Sequence, residues 1–470
     1  MNIYNKSLVK NTLILGVGQL VPKALGIIIL PILTTYLSTS QYGVFDLTLS
    51  FAGLLVPLVT MQIQQAVFRY LLLFLEKKKR TEYITTAMFY VVISAVVTIF
   101  SMYWILRFLK LDYKVSILIC VMYFAETFYI LLGQMVRGLG FNLKYSISVI
   151  IYSLTNLFGV FVFVIMIELE LRGVLLAWTI GYVVADIYMI CASGIKEFVR
   201  VEDFSLNSLK ELLSFSIPIV PSSISLWIVN LSDRLIVSNC LGKAANGVYA
   251  VSNRIPLLYS TAYEMFNLAW TETAARVSDD GKQEEYYSIL FSHLFKFLVG
   301  IMLLLIVVTP LLFYVLIKGE YKVAINQVPI LYIGAFFNSF INFYSGIYIA
   351  LKRTKQVGIS SIVGAVINIV INFVLINKIG LYAASISTAV SFMIIAVYRA
   401  FDINKAVKIS YNFKEIFKGI LVLFLCCSLL YVGGIWNILL CGLIAIVYNL
   451  RNNKDFICEF KGLIIKNLKK

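Results

Sequence analysis

Apolar runs of about 20 residues follow one another from Asn11 almost to the C-terminus, separated by short polar and basic segments. A helix of about 20 apolar residues crosses a hydrocarbon core of about 30 Å. The pattern therefore predicts an all-α polytopic membrane protein with spans near residues 11–36, 45–73, 83–106, 114–136, 145–167, 174–194 and 212–238, then 245–271, 290–316, 325–350, 357–377, 381–401, 416–434 and 435–450. That makes about fourteen transmembrane helices. Only Gly433 and Gly434 separate the last two, and a re-entrant hairpin there would leave twelve.

Composition agrees: of 470 residues, 60% are hydrophobic and 14% charged, a balance suited to lipid rather than water. The net charge of +16 does not point to nucleic acid, because the basic residues occupy short loops instead of one soluble face. Most of them fall at the N-terminus, in the loops that follow even-numbered spans, and at the C-terminus. The strongest blocks are Lys77, Lys78, Lys79 and Arg80, and then Lys352, Arg353 and Lys355. The positive-inside rule places both termini in the cytoplasm. Lys6 and Lys10 precede a run too long for a cleaved signal, so it reads as a retained first helix. Residues 196–213 and a tail with Phe456, Phe460, Leu463 and Ile464 on one side among lysines read as helices lying on the membrane surface.

Seven cysteines without CxxC pairing and a single histidine, His293, supply neither a disulfide framework nor a metal cluster. No P-loop and no nucleophile–base pattern is present, so covalent chemistry and an ATP-driven pump are disfavoured. No cofactor is implied. Energy for transport would come from a proton or sodium gradient, or from downstream consumption of the product.

The exceptions to the apolar pattern carry the functional information. All eight prolines lie within or at the edges of spans. The first span has Pro22 and Pro31, the seventh Pro218 and Pro221, and the second and eighth one each, Pro57 and Pro256. Residues 36–45 also align without gaps on 240–249, so Tyr42-Gly43-Val-Phe45 falls on Asn246-Gly247-Val-Tyr249. Interrupted helices at corresponding places in two halves suit a transporter that rocks about a central site. Prolines that merely shape packing are the alternative.

Four basic residues inside spans stand out: Lys23, Arg69, Arg234 and Arg254. Each costs at least about 2.5–3.5 kcal/mol at the bilayer centre unless paired or hydrated. Lys23 lies about twelve residues into its span, or about 18 Å at 1.5 Å per residue, and Arg254 about nine residues into its own. Arg69 and Arg234 stand near helix ends, within snorkelling reach. Polar stripes accompany them: Gln62 and Gln65 before Arg69; Ser148, Tyr152 and Thr155; Asn246, Tyr249 and Asn253; Asn338, Asn342 and Ser345; Ser361, Asn368 and Asn372. Interhelical hydrogen bonding explains any one stripe; together they describe a polar lumen for a hydroxyl-rich cargo. The acidic residues within or near spans are Glu126, Asp186, Glu264, Asp46 and Asp233. They are candidates either for ion coupling or for pairing with neighbouring cations. Glu126 shares a helical face with Gln134 and Arg137 and is the best coupling candidate.

The run Leu209-Lys-Glu-Leu-Leu-Ser-Phe-Ser-Ile-Pro218-Ile-Val-Pro221, with Asp233-Arg234-Leu-Ile-Val, Leu241-Gly242 and Gly247-Val-Tyr249, together with Tyr36-Leu37 and Tyr42-Gly43-Val-Phe45, resembles the Wzx-like polysaccharide flippases. These belong to the multidrug/oligosaccharidyl-lipid/polysaccharide exporter superfamily. The resemblance implies two pseudo-symmetric six-helix lobes forming a V, residues 1–196 and 197–408, the second opening with a cytoplasmic surface helix. Helices 13 and 14 and a basic tail occupy 409–470. It further implies translocation of undecaprenyl-diphosphate-linked oligosaccharide units across a bacterial plasma membrane for capsule or O-antigen-type polymers, through a cationic cavity. Lys23 and Arg254 would serve the diphosphate, with Arg69 and Arg234 as further candidates. Other polysaccharide-assembly membrane proteins would be its partners.

A cation-coupled multidrug exporter of the same superfamily competes with this reading, although acidic central residues would suit cationic drugs better than Lys23 and Arg254. A membrane-embedded glycosyl transferase or polymerase is a third reading. It would call for a larger outer loop than any of these short connections.

Overall fold

The computed structural model describes residues 21–73, 76–108, 110–277, 283–351 and 353–454. The basic N-terminal residues, Lys352 and the amphipathic tail lie outside them. Among the described residues there is no strand. In chain order the helices are α1 (Val21–Tyr36), α2 (Thr39–Val59), α3 (Ile63–Leu73), α4 (Lys77–Phe108), α5 (Tyr113–Gly138), α6 (Asn142–Val160), α7 (Glu170–Ser193), α8 (Leu206–Ser216) and α9 (Val220–Leu241). There follow α10 (Lys243–Ser252), α11 (Arg254–Val277), α12 (Gln283–Leu316), α13 (Val328–Ala350), α14 (Thr354–Ile379), α15 (Tyr382–Asn404), α16 (Phe413–Val432) and α17 (Ile435–Asn452). Eleven described helical segments are long and apolar enough to cross a membrane, and α1 is a shorter apolar one. Among the described residues, all fourteen spans read from the sequence are largely helical, the first of them described from Val21 onward.

The chain divides into two compact units, Met1–Ser232 and Asp233–Lys470. Within each, helices pack small residues and large aromatics such as Tyr42, Phe45, Tyr259 and Phe343 inside, and turn further large apolar side chains outward. Ile93, Val97, Phe100 and Trp104 make a stripe along α4 with more than half of each side chain exposed. In water this would be a defect; in lipid it is the solvated face. Contact between helices depends instead on close backbone approach. A Cβ on Gly159 of α6 would lie 3.0 Å from the Cβ of Ala177 on α7, and one on Gly364 of α14 would overlap Ile395 of α15.

Several spans are interrupted. The second breaks between α2 and α3, where Met61 and Gln62 take φ of 47° and 55°, a conformation uncommon for residues other than glycine. The break follows Pro57 by four residues. The seventh enters through the 3-10 turn Ile217–Ile219, which contains Pro218, and Pro221 stands in the first turn of α9. The eighth breaks at Asn253, whose side chain donates back to the Tyr249 carbonyl (2.8 Å), with Pro256 just beyond in α11. Pro22 and Pro31 both lie inside α1.

Ends are capped by short polar side chains. Ser38 and Gln41 form a reciprocal capping box on α2. Asp112 caps α5, and the Val115 N–H with the nearby Arg172 guanidinium holds its carboxyl below the usual range. The surface segment before α9 is fastened to α4 of the first unit: Tyr83 donates to Glu211 (2.6 Å), Ser208 to Glu82 (2.5 Å), and the Arg200 and Ser205 N–H groups to Thr85 and Thr86 (3.1 and 3.2 Å). The α16–α17 pair packs on α12, where Asn449 and Asn453 donate to the carbonyls of Gly300 and Lys296 (3.2 and 3.1 Å).

Candidate functional site

Charged side chains within the helices stand in three kinds of setting. The first is cationic. Lys23 is half-buried on α1, Arg234 half-buried on α9, and Arg254 half-buried at the first position of α11. Arg69 is exposed on α3, its guanidinium 4.5 Å from the centre of the Phe215 ring. Gln65 shares α3 with it. Gln62 does not continue that face, because it stands in the break before α3; it donates to Ser223 (2.9 Å) and accepts from Gln64 (3.0 Å).

The second setting surrounds Asp233, and it is the most completely built. Asp233 stands on α9, 5% exposed. Its carboxylate accepts from Thr388 Oγ1 on α15 (2.7 Å), Asn372 Nδ2 on α14 (2.7 Å) and Tyr249 Oη on α10 (3.3 Å). Asn368, one turn before Asn372, donates to it as well; rotating that amide shortens the bond to 3.0 Å and lets its oxygen accept from the Thr388 N–H. Ser387 adds a hydroxyl beside Asn368 (3.3 Å). Asn372 Oδ1 is shielded from solvent and accepts no hydrogen bond. Asp233, Tyr249, Asn368 and Asn372 thus converge in one place, with Asn246 buried and Asn253 capping on the same short helix. Chemically this is a buried carboxylate met by hydroxyl O–H and amide N–H donors, with the neutral oxygens of Thr388, Tyr249 and Asn372 close by. Thr388 and Ser387 were not singled out by sequence, since hydroxyls among alanines read as small-residue packing.

The third setting is Arg399 on α15, 1% exposed. Every N–H it can offer is taken by a neutral acceptor: Nε by Ser360 Oγ (2.9 Å), Nη1 by the Ile341 carbonyl (2.9 Å) and Ser345 Oγ (2.5 Å), Nη2 by the Val357 carbonyl (3.1 Å) and Ser361 Oγ (3.0 Å). It ties α13, α14 and α15 together. Sequence reading passed over it because an arginine two residues from the end of a span resembles an interfacial anchor. Its signal was the serines. Ser345 and Ser361, read as part of a cargo lumen, are committed to Arg399, and Asn368 and Asn372 to Asp233, so these two stripes are internal to the second unit.

Of the remaining acids, Asp46 is buried on α2, Glu264 exposed on α11, and Asp186 buried on α7. Glu126 on α5 meets Tyr182 rather than Arg137, which donates to Gln134 (3.2 Å) between the rings of Phe68 and Tyr145. Among the described residues no group of three or more His, Cys, Asp and Glu could hold a metal ion.

Residues 8–271 match a family described as polysaccharide biosynthesis protein, and residues 218–374 match the MatE family. No curated protein matches the sequence. Among solved structures, the lipid II flippase MurJ in an inward closed conformation superposes with a TM-score of 0.73 at 15% identity, covering 94% of this chain and 98% of that one. An inward-facing multidrug resistance MATE transporter of the MOP superfamily superposes with 0.70 at 15% identity, covering 83% and 98%. A MOP superfamily transporter from Pyrococcus furiosus with a binding pocket of reversed polarity gives 0.58 at 13% over 85% and 96%. Likeness at these identities establishes the fold alone, a multi-pass helical one that this chain shares with them.

Proposed function

Because the chain belongs to the polysaccharide biosynthesis protein family, we propose that it is a flippase that carries lipid-linked oligosaccharide from the cytoplasmic to the outer leaflet of a bacterial plasma membrane. The observation that carries the reading is the family match itself, which spans the first unit and the start of the second. Its cargo is an undecaprenyl-diphosphate-linked sugar repeat bound for a capsule or O-antigen-type polymer, and both termini face the cytoplasm. Lys23 and Arg254, with Arg69 and Arg234, supply positive charge for the diphosphate. Arginine suits this task because its fork matches phosphate oxygens in pairs. The protein does not cleave or form bonds in its cargo.

Coupling is through a monovalent cation, sodium or a proton, at Asp233. When a cation enters, the Thr388 and Tyr249 hydroxyls can turn their oxygens toward it, and Asn372 Oδ1 already lacks a donor. Export of cationic drugs is the second reading, favoured by the MatE match over residues 218–374.

The test is deletion followed by leaflet-resolved analysis of lipid-linked intermediates, with complementation by Lys23→Ala, Arg254→Ala and Asp233→Asn. Completed units should accumulate facing the cytoplasm, and all three variants should insert normally yet restore at most about a tenth of export, the effect of losing about 1.4 kcal/mol of differential binding. Unchanged intermediates with new drug sensitivity would establish the exporter instead.

A further inference from the structure

The core of the first unit holds a group of polar side chains with too few donors. Oε2 of Glu126 on α5, Oδ1 of Asn156 on α6 and Oδ1 of Asp186 on α7 are all shielded from solvent with no hydrogen-bond partner, as is the Tyr123 hydroxyl. Asp186 is 9% exposed and Asn156 3%. Among the described residues neither acid forms an ion pair, and no charged side chain of α2, α3 or α4 acts on either. What faces them is aromatic. Tyr123, Tyr152 and Tyr182 surround Glu126, Tyr129 faces Asp186, and Asn156 lies next to Tyr152. Three of these rings are in mutual contact across the helices: Tyr152 stacks on Tyr182 with centroids 4.6 Å apart, and Tyr129 lies 5.5 and 5.3 Å from the two.

A buried carboxylate without a cation or donors is unfavourable by several kcal/mol. Elsewhere in this molecule such costs are met: Asp233 accepts from four side chains. Here three of the four orphans are acceptor oxygens and two of those belong to carboxylates, so the missing component is something that brings positive charge and a further donor. A proton does both. It binds one carboxylate oxygen, removes one negative charge and leaves an O–H free to donate to a neighbouring acceptor. A metal ion would require a shell of charged and neutral oxygens, and among the described residues no group of three or more His, Cys, Asp and Glu is placed to hold one.

We propose that Glu126 and Asp186, bridged by Tyr129, Tyr152 and Tyr182 with Asn156 alongside, form a proton-binding site in the first unit, separate from the Asp233 cation site. A chain with two such sites can exchange one ion in each unit.

The experiment is acid-minus-alkaline difference infrared spectroscopy of the full chain in lipid nanodiscs at fixed sodium. The carbonyl stretch of a protonated carboxylic acid should appear on acidification, vanish or fall by about half in Glu126→Gln and in Asp186→Asn, and persist in Asp233→Asn. A band indifferent to both amide substitutions overturns the proposal. So does a wild-type band that added sodium removes at constant pH, which would make the ligand a metal ion. If an amide variant does not yield monodisperse protein, Tyr182→Phe decides, since it removes only the hydroxyl beside Glu126: a shifted band supports the site and an unshifted one overturns it. No cargo enters this measurement, so its failure leaves the flippase reading standing, and failure of that reading leaves the proton site standing.

Discussion

Arg399 in the second unit and the Glu126–Asp186 group in the first both place ionisable side chains among apolar helices, and they are built in opposite ways. Around Arg399 five hydrogen bonds to neutral acceptors on α13 and α14 use the whole guanidinium. Around Glu126 and Asp186 oxygens remain without donors. An arginine whose five N–H groups are all engaged holds helices in place and has nothing left with which to receive a ligand. A charge whose hydrogen bonds are incomplete adds little to stability and is ready to take up an ion. Burial alone does not separate the two; the count of satisfied donors and acceptors does.

The largest effect that would test this contrast is at Arg399. Arg399→Ala removes the partner of five acceptors on two other helices, and loss of about 3–5 kcal/mol is expected from breaking a buried charged network. Thermal unfolding in detergent should show it, and Arg399→Lys, which cannot reach five acceptors, should recover less than half. A near-wild-type melting temperature for Arg399→Ala would end the claim that the arginine is structural. A smaller effect follows at Gly364, where Val would overlap Ile395; overpacking there should cost about 1–3 kcal/mol, read in the same melt. The smallest is Glu126→Gln at mildly alkaline pH, expected to leave stability unchanged or raised by less than about 1 kcal/mol, because it deletes a charge that nothing compensates. If it destabilised the protein as much as Arg399→Ala, the two regions would not differ in kind.

The spans were legible in the sequence because crossing lipid demands a long apolar run whatever else the chain does. The Asp233 group was half legible. Its acid and amides disturb the apolar pattern of α9 and α14, but Ser387 and Thr388 sit in a helix rich in Ser and Ala, where a hydroxyl is as good a packing residue as a ligand. Which polar residue meets which was not legible. Ser345 and Asn372 belong to stripes of the same appearance, yet one receives an arginine and the other donates to a carboxylate, and only the rotation of each helix decides that. The turn at Met61 and Gln62 was hidden for another reason. Pro57 marks a weakened helix, but two non-glycine residues with positive φ leave no signature in residue type.

The turn between α16 and α17 bears on how the chain is made. Gly433 and Gly434, with φ of 69° and 87°, reverse the chain in two residues. Between Gly419 and Leu450 there is no charged side chain; Lys414, Glu415 and Lys418 lie at one end of the pair and Arg451 at the same end of the other helix. As the chain emerges from the ribosome, the pair can therefore enter the bilayer as a single hairpin, with no ion to drag across. The side-chain amides of Asn449 and Asn453 then find the Gly300 and Lys296 carbonyls of α12, a helix already inserted. In a hairpin otherwise almost wholly apolar, these two asparagines give it a direction: they fix which side of the pair meets α12.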